Sequence, residues 1–199
     1  MSQQIRDGAG TGYMAKVNAN QRMYTSAVTI EENLQATKNG DSYNINTGTI
    51  TLTNDTASAV AYVKNNESQD LHVTAIAVGL GPSPAGTTAE IPAITVIRNP
   101  TAGTIVSSAV AVSINCNRNY GSSKTLTVDA YKAASSELTF TDGADHLLLY
   151  QAPNGRLFAN IDEILTKGDS IGIKIDPQAG NTSMDCYAAI ICHLEDPND

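Results

Sequence analysis

Tryptophan is absent from this 199-residue chain, and phenylalanine occurs twice. The eight tyrosines are scattered along the sequence. Sugar-processing sites need clustered aromatic platforms, so this scarcity counts against glycan chemistry. Charge is sparse as well. Charged residues make up 16% of the chain, and 12 bases face 20 acids for a net charge of −8. Without a basic footprint there is nothing to neutralise a phosphate backbone, which excludes nucleic acid as a partner. The cysteines are three, Cys116, Cys186 and Cys192. Cys186 and Cys192 fall on one extended segment, about 20 Å apart along it, too far to bridge. An odd count without close pairs reads as reduced, buried thiols in a protein made in a cytoplasm. No apolar run approaches the ~20 residues that span a bilayer, so no membrane partner is expected. The polar, glycine-rich N-terminus does not read as a signal peptide.

What is present is alternation. Near the end of the chain Ile171, Ile173 and Ile175 alternate with Ser170, Gly172 and Lys174, a period of two that marks a strand with one buried face. From Met184 to Leu194 both faces are largely apolar, as in a strand running through the middle of a sheet. The turn formers Pro177, Gly180 and Asn181 lie between them, so these two strands are expected to be antiparallel neighbours. Further strands are expected at Thr49–Thr53, Ala59–Lys64, Leu71–Val78, Ile91–Ile97, Thr104–Asn115, Leu126–Ala130, Leu138–Phe140 and His146–Gln151. Pro92 restricts its segment to a sheet edge or a strand start. Leu157–Leu165 fits a strand or a helical turn equally well. Eight to ten short strands without a long helical pattern predict an all-β fold, an antiparallel β-sandwich of jelly-roll type, over residues 49–199. Residues 1–48 hold five glycines, many Asn and Gln, and few large aliphatics. They are expected to form an extended N-terminal arm, with a helical turn or two at Glu31–Thr37.

No sequence signature of catalysis appears. Gly8, Gly10 and Gly12 are spaced GxGxG rather than GxGxxG, with no strand before and no helix after, so phosphate cradling is not expected. His72, His146 and His193 fall in separate strands, none at ligand spacing from another His or Cys. Asp142, Asp145 and His146 form the nearest approach to a metal cluster and read as a turn. No nucleophile elbow is present. Asp162, Glu163, Asp169 and Asp176 are the carboxylates on which glycoside cleavage would draw, and they read as solvated turn residues. Asn54, Asn66 and Asn181 lie in Asn-x-Ser/Thr triplets without a secretory context. The expectation is a non-enzymatic protein with no catalytic residue, metal or cofactor.

The run Asp7-Gly8-Ala9-Gly10-Thr11-Gly12-Tyr13-Met14-Ala15-Lys16-Val17, with Asn20-Gln21-Arg22-Met23 and Ser26-Ala27-Val28, resembles the N-terminal region of tailed-bacteriophage virion proteins. In those a glycine-rich arm precedes a β-sandwich. Leu165-Thr166-Lys167-Gly168-Asp169-Ser170-Ile171 is similar to the start of a late strand in viral jelly rolls. The resemblance implies a virion structural protein: a capsid decoration (cement) subunit on the head surface, homotrimeric, with the major capsid protein as partner. Its arm contacts would be drawn from Arg6, Tyr13, Lys16, Arg22 and Tyr24. A tail, collar or head–tail junction protein, or a carbohydrate-binding β-sandwich, is the alternative.

Overall fold

The computed structural model describes residues 31–53, 56–82, 90–108, 110–112, 116–134, 137–181 and 183–195. In chain order these form α1 (Glu32–Asn39), β1 (Ser42–Asn46), β2 (Ile50–Leu52), β3 (Ser58–Asn65), β4 (Leu71–Leu80), β5 (Ala93–Arg98), α2 (Thr104–Ser108), β6 (Val110–Ala111), β7 (Val128–Lys132), β8 (Ala144–Tyr150), β9 (Arg156–Leu165), β10 (Ser170–Asp176) and β11 (Met184–Leu194). Among the described residues no helix is long and apolar enough to cross a membrane.

All the strand pairs are antiparallel, in two sheets. One runs β1-β11-β4-β9, with β2 continuing β1 along β11, and the other runs β6-β7-β3-β10-β5-β8. Leaving aside β6 and β7 and counting β1 with β2 as one interrupted strand, eight strands remain. Their orders are first-eighth-third-sixth and second-seventh-fourth-fifth. The pairing is nested: β1 with β11, β3 with β10, β4 with β9, β5 with β8. This is the wiring of a jelly roll, a long hairpin rolled into a sandwich. The core lies between the sheets and is built from alternate residues of both, Ile76, Val78, Ile190 and Cys192 from one, Val63, Ile94, Ile171, Ile173 and Ile175 from the other.

The wiring corrects the expected partnership of the last two strands. β10 and β11 lie in opposite sheets, and the link between them crosses the sandwich. Asn181 anchors that link: buried, it donates through Nδ2 to the Glu90 and Pro177 carbonyls at 2.7 and 2.6 Å, which removes it from the surface.

The body also begins earlier than residue 49. Tyr43 and Ile45 alternate with Asn44 and Asn46 and are buried in the core, so residues 32–48 belong to the compact unit Glu32–Asp199. The two core residues are diluted by asparagine and flanked by Gly40 and Gly48, which hides the strand from a composition reading. Residues 1–30, with the Gly8–Gly12 run and Arg6, Tyr13, Lys16, Arg22 and Tyr24, lie outside the described residues.

Two further segments differ from expectation. Thr104–Ser108 is helical, and Ile105 drops into a minor core with Ala59 and Tyr62 on the outer face of the β3 sheet. Only Val110–Ala111 of that stretch is strand, and Ile114 lies outside the described residues. Leu138–Phe140 is not a strand: Phe140 lies over Gly172, where an added Cβ would come within 2.3 Å of the ring. Leu157–Leu165 resolves as strand. Pro92 stands just before β5, which therefore sits inside its sheet between β10 and β8.

Cys186 and Cys192 are buried on the inner face of β11, as expected, but Cys116 is exposed. Burial pushes both inner thiols up to about 12. A disulfide reagent should therefore titrate one fast thiol in the folded chain and three in denaturant. A second fast thiol would mean that β11 opens in the native state. The unfolded chain's thiols ionise near 9.0, so between pH 9 and about 12 the native state holds more protons than the unfolded one. Stability should fall as pH rises through that window.

Candidate functional site

Two features of the body stand apart from ordinary core and surface. The first is a cluster on the outer face of the β11 sheet. His72 on β4 and His193 on β11 are direct register partners, their ring centroids 4.8 Å apart. The outward position of His193 follows from alternation, since Cys192 and Leu194 belong to the inner core. α1 packs across β1 and β11 above it, which leaves His193 1% exposed, and places Glu32, the first residue of the helix, beside the ring. The Glu32 Oε1 to His193 Nε2 distance is 3.4 Å. On the other side, Asp162 Oδ1 lies 3.8 Å from His72 Nε2. Asp162 stands in the left-handed region at φ 47°, where β9 loses register with β4. One ligand atom from each of Glu32, His72 and His193 can be chosen so that all three lie within 4.8 Å of one another. The Nδ1 atoms of both rings are buried without a partner. Burial holds the His193 imidazole below its ordinary 6.5, against the opposing hydrogen bond to the Glu32 carboxylate, and favours the neutral ring.

Sequence spacing separates the three histidines. Two of them are brought together by strand pairing across some 120 residues, and the acid comes from a helix assigned to the arm. No local spacing carried that signal. The cluster that was legible locally disperses. Asp142 accepts from the backbone N–H groups of Thr101 and Ala102, both at 2.8 Å, and from the Thr101 hydroxyl. These bonds hold its carboxyl below the usual value. Asp145 faces Lys174 at 3.8 Å, and His146 Nε2 meets Glu163 at 2.6 Å. Asp169 is a turn residue that accepts from Thr166, and Asp176 closes β10 and accepts from the Gln178 N–H.

The second feature is an asymmetry between the two sides of the sandwich. On one side the edge of β1 is sealed: Asn44 donates to the Cys116 carbonyl and Arg118 to that of Ser42, at 2.9 and 2.8 Å. On the other, β8 ends one sheet and β9 the other, and among the described residues no strand pairs with the free edge of either. Along them Leu148, Tyr150, Phe158 and Ile164 are 54, 62, 64 and 47% exposed. Apart from these, an open cleft of about 340 Å³ lies at the far end of the β11 sheet, lined by Gly79, Gly81, Arg156, Asp185 and Tyr187 among others. Tyr187 lies across Gly79 there, where a Cβ would meet the ring at 2.0 Å.

Fold and surface together define an antiparallel jelly-roll β-sandwich that is, among the described residues, open along one side. No family model and no curated protein matches the chain. Among solved structures it is similar to the D431N mutant VP2 protein of infectious bursal disease virus, in derived T=1 particles. The identity is 8%, over 79% of this chain and 41% of that one, with a TM-score of 0.17, a likeness too slight to bear on role.

Proposed function

We propose that this chain is a non-enzymatic structural subunit of a virion, a capsid decoration protein of a tailed bacteriophage that assembles with copies of itself on the head surface. The observation that carries the reading is the open side. Long unpaired edges with exposed apolar residues invite association unless something covers them, and proteins that stay monomeric blunt such edges with proline, lysine or a covering loop. β9 is ten residues long without proline or lysine; its charges, Arg156, Asp162 and Glu163, and its register break at Asp162 leave residues 157–161 as the run without such protection. The occupant assigned to it is a second copy of the chain. Residues 1–30 carry Arg6, Lys16 and Arg22 against Asp7, a net of +2, and the remaining nine bases and 19 acids leave −10 for the rest. A basic leader beside an acidic body suits a contact in which one copy's leader meets the next copy's body. The phage resemblance of the leader supplies the context, and the trimer it implies is the oligomer favoured.

The test is the mass in solution and on shells. The full chain should run as a single oligomer and bind phage heads prepared without it, in many copies spread over the head. The double substitution Leu148→Lys, Phe158→Lys should leave the strand circular-dichroism signal unchanged and produce a monomer. A chain that is monomeric at every concentration and ignores such heads, or that is found in only a few copies at the tail, would overturn the reading.

A further inference from the structure

We propose that Glu32, His72 and His193 form a binding site for a divalent transition-metal ion, zinc by the chemistry of its donors, which fastens α1 to the outer face of the β11 sheet. Two imidazoles and a carboxylate are a donor set that zinc takes readily, leaving a fourth position open. The geometry is close to what an ion requires. Donors around a tetrahedral zinc with bonds of ~2.1 Å lie about 3.4 Å apart. The Glu32 Oε1 to His193 Nε2 separation is 3.4 Å, long for a hydrogen bond and suited to two ligands of one ion. The full set of three ligand atoms spans at most 4.8 Å, so modest side-chain rotation closes it.

Burial supplies the second argument. His193 is 1% exposed, and its Nδ1 and that of His72 have no hydrogen-bond partner. A deeply buried imidazole whose polar neighbours are a second, half-buried ring and a carboxylate is costly as a plain core residue. As a metal ligand through Nε2, His193 has a reason to be there; the Nδ1 atoms are not the donors. Water or the Asp162 carboxylate, 3.8 Å from His72 Nε2, completes the sphere. Glu32 opens α1, so an ion here clamps the first turn of that helix to the sheet. The site stands whatever covers the β8–β9 side.

Zinc chloride added to the EDTA-treated full chain tests the site. One zinc per chain should survive gel filtration. The thermal midpoint should rise with zinc concentration, as it must for an ion that binds the folded state. Proteolytic cleavage within α1 should slow. Glu32→Gln and His72→Asn, chosen because both side chains are partly exposed and the fold does not need them, should each weaken zinc at least tenfold. His146→Asn, which removes the remaining histidine, should not. The proposal fails if no zinc is retained and the midpoint does not move. It fails if the two ligand substitutions leave affinity unchanged, or if His146→Asn abolishes binding. An equal response to magnesium or calcium, which prefer oxygen donors, would also overturn it.

Discussion

Replacing Asn65 with alanine is expected to lower the stability of the folded chain by about 3 kcal/mol. Asn65 closes β3 and is fully buried. Its Nδ2 donates to the Gln69 carbonyl at 2.9 Å and to the Leu165 carbonyl at 2.8 Å, and its Oδ1 accepts from the Glu67 N–H at 2.9 Å. Its backbone exchanges two more bonds with Asp169 and Gly168. One side chain thus ties the end of a strand in one sheet to the last residue of β9 in the other and shapes the turn into β4. Alanine keeps the backbone bonds but leaves two carbonyls and an amide without the partner the fold provides. Each group left unsatisfied in a buried setting costs about 1–3 kcal/mol, and water can relieve the more exposed of them. The urea midpoint should fall with an unchanged slope, while Asn66→Ala next door should stay within ~0.5 kcal/mol of the parent. A loss below about 1 kcal/mol at Asn65 would mean that solvent enters the seam and that the side chain is not its fastening.

The second large effect belongs to Ile173. It sits on β10, the strand between β3 and β5, opposite Ala61 on one side and Val96 on the other, and is fully buried. Ile173→Ala should cost about 3–4 kcal/mol, part lost transfer energy and part cavity, because a site walled by two strands and the facing sheet cannot collapse. Ile173→Val should cost about 1 kcal/mol. Thermal and urea unfolding give both numbers. An alanine cost no larger than that of valine would show that the core relaxes around the gap and that the sandwich is looser than its burial suggests.

Position 173 also marks what could be read without coordinates. The alternation of Ile171, Ile173 and Ile175 is a local property, and all three are buried as the pattern required. The same holds for the inner set of β11. Where a second element intervenes, the local reading fails for a physical reason. Ile105 satisfies an apolar position equally well in a helical turn over Tyr62 as in a strand, and the structure takes the helix. Tyr43 and Ile45 are two core residues in a polar, asparagine-rich stretch, too few to outweigh the composition around them. Glu32 was legible as part of a short helix, but not as the neighbour of a histidine 161 residues away.

By itself, then, the sequence determined most of the extended segments and which of their faces are apolar, and hence an all-β sandwich. Those are consequences of side-chain period and composition, which each stretch carries within itself. Tertiary structure alone decided which strand lies beside which. In a jelly roll the partners nest from the outside inward, so the first strand meets the last and, outside the innermost pair, successive strands of the nest fall in opposite sheets. That choice rests on loop closure and on the sum of contacts over the whole core. It sets His72 against His193 under α1 and leaves one edge each of β8 and β9 unpaired among the described residues.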